Sequence, residues 1–335
     1  MSVLSPAGWL YSRVINLRNS FYDRDVFTSH PLGARTISIG NITAGGTGKT
    51  PLVAHVASHL AETGETVCIL TRGYGRKNPK ERVLVSDRNT VLVDARKGGD
   101  EPLELATRLQ GKTVVIADAD RVAAAKWAVE KFGITAFVLD DAFQHRRAKR
   151  DLDIVCIDAM NPFGNGEVLP AGILREPIKN LARADAIVIT RCNLVQDLTA
   201  LRKQIAECAG EATIFESSNT ISGFREISEF GESETSGKKA LAFCAIGNPS
   251  NFFKQLSRDG FDLVSKKPFP DHHYYSQEDI GKLEKRARNT QAEILLTTAK
   301  DAVKLAGFEF EMPCYAVEGE MSLDDADAFH ELISS

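Results

Sequence analysis

Two periodicities divide the chain. Residues 9–22 repeat at helical spacing: Leu10, Val14, Leu17 and Phe21 are separated by 4, 3 and 4 positions, which places them on one stripe of an amphipathic helix. Arg13 and Arg18 flank that stripe, and Trp9 and Tyr11 stand near its start. From residue 35 the pattern changes. Short apolar runs at 36–40, 67–70, 113–117, 136–139, 154–157 and 186–190 are separated by helix-sized segments such as 50–62, where Leu52, Val56 and Leu60 keep helical spacing. Strands apolar on both faces predict a mostly parallel sheet covered by helices on both sides. Residues 221–239 (ISGFREISEFGESETSGKK) break the pattern with Gly, Ser and charge, and are the boundary candidate. Beyond them, strands are expected at 240–246 and near 293–297, with helices from about 250 and after 322. The expected organisation is a helical region at 1–34, a main α/β domain at 35–220 and a smaller α/β domain at 221–335.

Composition narrows the class. The chain has 335 residues, 43% of them hydrophobic and 26% charged, so it can bury a large core and is not disordered. Its 41 basic and 45 acidic residues leave a net charge of −4, which disfavours a nucleic-acid binder. No run of about 18 apolar residues predicts a membrane-spanning helix. Arg13 and Arg18 interrupt what would be a signal-peptide core. The N-terminal helix therefore has two readings: it lies on an anionic membrane surface, or it packs on the body of the protein. Six cysteines contain no CxxC, and Cys68, Cys156 and Cys244 sit inside apolar runs as small buried hydrophobes of a reducing compartment.

The chemistry starts at SIGNITAGGTGKTP (38–51). An apolar strand enters a loop of Thr43, Ala44, Gly45, Gly46, Thr47, Gly48, Lys49 and Thr50, and a helix follows. Glycines let backbone N–H groups curl around phosphate oxygens, and the helix N-terminus adds positive potential. Lys49 would reach the β/γ-phosphates, and the Thr50 hydroxyl would bind Mg²⁺. Thr43 stands where the usual first glycine belongs, and Ala44 where partitioning-type ATPases carry Lys. The expected nucleotide is ATP, because no guanine-specifying NKxD is present. AFVLDDAFQHRR (136–147) supplies the second element: Asp140 and Asp141 at a strand's carboxyl edge, where a metal carboxylate belongs. Asp158 after another strand is a weaker competitor. Three clusters could serve an acceptor. TRGYGRK offers Arg72, Arg76 and Lys77 to an anionic group. GGDEP displays Asp100 and Glu101 on a loop. FPDHHYY sets Asp271 and His272 among aromatics, as an acid–base pair or a metal site.

Taken in order, GNITAGGTGKTP, TRGYGRK, GGDEP, ADADR, LDDAFQHR, LPAGILREP and FPDHHYY resemble the tetraacyldisaccharide 4′-kinase (lipid A 4′-kinase) family from residue 40 to 305. The resemblance implies a P-loop kinase domain that moves the ATP γ-phosphate to the 4′-hydroxyl of an acylated glucosamine disaccharide 1-phosphate. It implies a peripheral enzyme on the cytoplasmic face of the inner membrane, bound to its anionic surface through the N-terminal helix, with no obligate protein partner. By motif position it implies Lys49 and Thr50 on phosphate and Mg²⁺, Asp140 and Asp141 at the metal, and Asp100 as base with His272 as partner. Glu101, Arg121 and Gln144 occupy further motif positions near the site. The family's TEKDAVK reads TAKDAVK here, with Ala299 in place of Glu, which leaves Lys300 and Asp301 as possible contacts. The competing reading is a partitioning-type P-loop ATPase acting through a protein partner.

Overall fold

The structure is a computed structural model that describes residues 4–335 apart from 229, 231–234 and 236. Helix α1 (Ser5–Asp23) precedes the sheet. The first half then runs β1 (Arg35–Gly40), α2 (Lys49–Glu62), β2 (Val67–Thr71), β3 (Val83–Asp87), α3 (Ala95–Gly98), α4 (Asp100–Arg108), β4 (Thr113–Ala117), α5 (Arg121–Phe132), β5 (Ala136–Asp140), β6 (Leu152–Asp158), β7 (Ala186–Thr190) and α6 (Thr199–Cys208). Strand β8 (Thr213–Glu226) leads into β9 (Lys239–Cys244), α7 (Pro249–Arg258), β10 (Asp262–Pro268), α8 (Gln277–Asn289), β11 (Ile294–Thr298), α9 (Ala299–Ala302), β12 (Cys314–Leu323) and α10 (Ala326–Ser334).

All twelve strands join one sheet, in the order β10-β9-β11-β12-β8-β7-β6-β1-β5-β2-β4-β3. Pairing is parallel except at β3·β4 and β8·β12. Strands β1, β2, β4, β5, β6 and β7 are almost wholly buried, as runs apolar on both faces require. Helices cover both faces of this half. Leu52, Val56 and Leu60 of α2 and Leu105 of α4 pack on one side, Ala124, Ala125 and Ala128 of α5 on the other. Carboxyl ends of the parallel strands therefore share one edge, and the loops after β1, β2 and β5 meet there.

Two expectations about the second half need correction. The boundary candidate at 221–239 is in part a strand: residues 221–226 belong to β8 and pair with β12. Six of its remaining residues, 229, 231–234 and 236, lie outside the described residues. The final helix does not stay with the second half. Phe329 and Ile333 of α10 enter the core beneath α2. Helix α1 is inverted relative to a packed surface helix. Leu10, Val14 and Leu17 are 60%, 56% and 56% exposed, Trp9 is 60% exposed, and polar Asn19 is buried against the body. No helix of the described residues is long and apolar enough to cross a membrane. All six cysteines are free, and Cys68, Cys156 and Cys244 are fully buried.

Candidate active site

The phosphate loop leaves β1 at Gly40 and enters α2 at Lys49. Gly45 and Gly48 hold φ of +106° and +77°, in the left-handed region that favours glycine. A Cβ on Gly48 would meet the Thr190 side chain at 3.2 Å, whereas Gly45 and Gly46 face open space. The loop is braced from the end of β7, two strands from β1 in the sheet. Thr190 Oγ1 donates to the Thr47 carbonyl at 2.8 Å, and Arg191 donates to the Gly46 carbonyl at 3.1 Å. Asp158, the competitor carboxylate, is bound by that same Arg191, so it serves the brace. Thr47 Oγ1 is buried without a hydrogen-bond partner, as a loop built to receive oxygen ligands allows.

Strand β5 ends one strand away and delivers the acidic pair. Asp140 is buried and accepts from Thr71 Oγ1 at 3.1 Å. Burial raises its pKa, and the neighbouring Glu101 and Asp141 charges push it further up. Asp141 bends away at φ +51°. Arg175 Nη1 donates to both of its oxygens at 2.8 Å, and Lys49 Nζ lies 3.4 Å from Oδ1. Burial opposes its charge, but Lys49 and Arg175 overcome that and hold the carboxyl down to about 2. Arg121, the first residue of α5, is 3% exposed and donates to the Asp140 carbonyl at 2.9 Å, so it stiffens the end of β5. Burial lowers its pKa, and Asp140 and Asp141 partly restore it. Gln144 donates to the carbonyl of Asn41, at the start of the loop, and to Glu176. Arg175 stands in the LPAGILREP segment, to which sequence reasoning gave no role.

Asp100 is not on a loop. It is the first residue of α4 and 3% exposed, since Gly99 at φ +91° ends α3 and turns the chain directly into the next helix. Its partner comes from the other half. His272 sits after β10 at φ +59°, and its Nδ1 lies 2.9 Å from Asp100 Oδ2. An ionised carboxylate only accepts, so Nδ1 carries the proton in this bond. Lys300 and Lys304 on and after α9 approach Asp100 at 3.7 and 3.8 Å, and Lys300 pairs with Glu101 at 3.0 Å. Burial opposes the Asp100 charge. The His272 hydrogen bond and the two ammonium groups outweigh it and hold Asp100 below the ordinary carboxylate range. The same hydrogen bond raises His272 against burial and Lys300. Asp301, also from TAKDAVK, accepts the Ala245 N–H at 2.9 Å and ties α9 to the end of β9.

Distances bring the two clusters together. The position a Cβ would take on Gly247 is 3.2 Å from Asp271 Oδ2 and 3.8 Å from the Gly46 nitrogen. His272 Nε2 is 3.8 Å from Asp271 Oδ2. The acid–imidazole pair thus opens towards the phosphate loop. TRGYGRK divides: Arg72 is exposed, but Arg76 is buried and donates to the carbonyls of Pro79, Glu81 and Ala117. It holds its own loop and is not free to bind an anion. Among the described residues no group of three or more His, Cys, Asp or Glu is disposed to hold a metal.

A glycine loop between strand and helix, carboxylates on the next strand and an acid–imidazole pair across the cleft define a P-loop protein equipped for phosphoryl transfer. Its parentage is equally clear: the family model described as tetraacyldisaccharide-1-P 4′-kinase matches residues 1–335, and the chain belongs to that family. A tetraacyldisaccharide 4′-kinase of Geobacter metallireducens is 39% identical over 330 residues, covering 97% of this chain and 95% of the relative. That of Pelobacter propionicus is 38% identical over 311 residues, covering 93% and 85%. Among solved structures, LpxK from Aquifex aeolicus in complex with ATP superposes with a TM-score of 0.79 at 32% identity, covering 99% of this chain and 97% of that one.

Proposed function

We propose that the protein transfers the γ-phosphate of ATP to the 4′-hydroxyl of a tetraacylated glucosamine disaccharide 1-phosphate, the lipid A 4′-kinase reaction. The observation that carries this is the Asp100–His272 pair, 2.9 Å apart and open towards a glycine loop of the GKT type. Backbone N–H groups of residues 45–48 and Lys49 bind and orient the phosphates. Lys49 would then exchange part of its contact with Asp141 for phosphate oxygens. Asp100, kept ionised, accepts the proton of the acceptor hydroxyl or orients that hydroxyl for in-line attack. His272 fixes the Asp100 carboxylate, and Arg72 is free to meet the acceptor's anionic part.

The donor set suits Mg²⁺. Thr50, Asp140 and Asp141 offer one hydroxyl and two carboxylates, few enough for an ion that keeps waters and phosphate oxygens as its other ligands. The raised pKa of Asp140 reflects a buried carboxylate beside like charges, a position that a divalent cation relieves. When bound, the ion neutralises charge on the transferring phosphate. Helix α1 would seat the enzyme on the cytoplasmic face of the inner membrane, where acyl chains of the acceptor stay in the bilayer. Its outward apolar stripe, Arg13 stacked over Trp9 at 5.0 Å, and exposed Val26 and Phe27 just beyond support this.

The test is a phosphotransfer assay with γ-labelled ATP, Mg²⁺ and tetraacyldisaccharide 1-phosphate in mixed micelles. Label on the lipid is the expected result. ATP hydrolysis without lipid label would discard the acceptor and return the chain to the ATPase reading.

A further inference from the structure

Glu176 is 1% exposed and charged in none of the roles above, yet it takes five hydrogen bonds from four residues. Arg183 donates to both oxygens, at 2.8 and 3.3 Å, and Asn180 donates at 2.9 Å. Those two neutralise and solvate the carboxylate. The remaining two bonds come from two other parts of the molecule, α1 and the segment after β5. Asn19, the buried polar residue of α1, donates its Nδ2 at 3.3 Å. Gln144, from the acidic-pair motif, donates its Nε2 at 2.8 Å. With Nε2 held by Glu176 and by the Asn41 carbonyl, Gln144 must turn Oε1 towards Arg175, 3.4 Å away. Arg175 is the group that grips both oxygens of Asp141. A second contact parallels this one: Arg18 of α1 donates to the Gln144 backbone carbonyl at 2.8 Å.

We propose that Glu176 is a positioning residue that makes the aim of Asp141 depend on how α1 is seated. The proposal rests, for its biological purpose, on the reading of α1 as the membrane-surface helix. The physical basis is that a buried, satisfied polar network has few alternative arrangements. Shifting α1 removes the Asn19 bond and releases one constraint on Glu176. Gln144 and Arg175 then lose their fixed orientation, and Asp141 loses its aim towards Lys49. A lipid surface that holds α1 down would hold the chain of contacts in its productive form.

The experiment uses the full chain in mixed micelles with acceptor and ATP, and measures kcat, KM for ATP and partitioning to phosphatidylglycerol vesicles. Asn19→Ala leaves the outward stripe and the phosphate loop untouched. It should lower kcat roughly 10-fold with KM for ATP and vesicle partitioning unchanged, because modest misplacement of a reacting group costs that much or more. Glu176→Gln should lower kcat at least as far, and the double variant should be no worse than Glu176→Gln alone. An unchanged kcat for Asn19→Ala, or losses that multiply in the double variant, overturns the proposal. Should Glu176→Gln fail to fold, the cycle of Asn19→Ala with Gln144→Ala reads the same coupling. Wild-type protein that does not bind the vesicles would overturn the membrane reading of α1, and is scored separately from the cycle.

Discussion

The two sides of the cleft are built differently. The phosphate side is local. Residues 43–48 form one loop, Lys49 and Thr50 open α2 directly after it, and Asp140 and Asp141 stand at the end of the strand that pairs with β1 through five residue partners. The acceptor side is assembled across the molecule. Asp100 comes from α4, His272 lies 172 positions later, and Lys300 and Lys304 enter from α9 and the turn beyond it. A local site is fixed once its strand and helix form. A site spanning two halves exists only when the halves close on each other, so the second is the more easily tuned and the more easily lost.

The strongest way to break the comparison is on the local side. Lys49→Ala removes the ammonium that pairs with Asp141 and that we propose binds the phosphates, and should cost roughly 10³-fold in kcat for phosphotransfer. Near-normal turnover would end the phosphate-loop assignment. Asp100→Asn tests the other side. It keeps shape but removes the charge that His272, Lys300 and Lys304 surround, and should lower kcat roughly 10²-fold while ATP binding, measured by calorimetry, persists. Loss of ATP binding in this variant would mean that the two sides are not separable.

A smaller effect sharpens the contrast. His272 is raised above its ordinary pKa by its bond to Asp100. A group raised on folding contributes stability that is fully present below its unfolded pKa, about 6.5, and is lost as pH rises through the folded value. The difference in melting temperature between wild type and His272→Gln should therefore be largest below about pH 6.5 and shrink at higher pH. A difference that grows with pH would mean that His272 is not held by an ionised Asp100.

The same contrast explains what could be read from the chain. The apolar runs at 113–117 and 186–190 are β4 and β7 to the residue, because strands buried on both faces carry a continuous signal. Asp140 and Asp141 stand directly at the end of such a run, whereas Lys49 and Thr50 open the helix that follows the glycine loop. Strand β8 was read in part as linker because its second half, unlike β4 and β7, has no buried position, and its polar Thr220 and Ser222 are exposed. Asp100 was read as a loop residue because Gly98 and Gly99 separate two short helices and hide the start of α4. The link from Arg175 to Asp141 left no local trace, since it joins positions 34 apart whose side chains meet only in the folded molecule. The resemblance supplied Asp100 and His272 as partners, which spacing alone did not.

Strand β8 has a mechanical consequence. Its first residues, Thr213–Glu216, pair with β7 of one half, and Ser217–Glu226 pair with β12 of the other. One unbroken backbone is thus stitched into both. The halves cannot slide apart without tearing that seam, so any opening of the cleft that spares the sheet must flex the ribbon like a leaf spring. Its bending stiffness, set far from Lys49 and Asp100, would then govern how readily nucleotide enters and product departs.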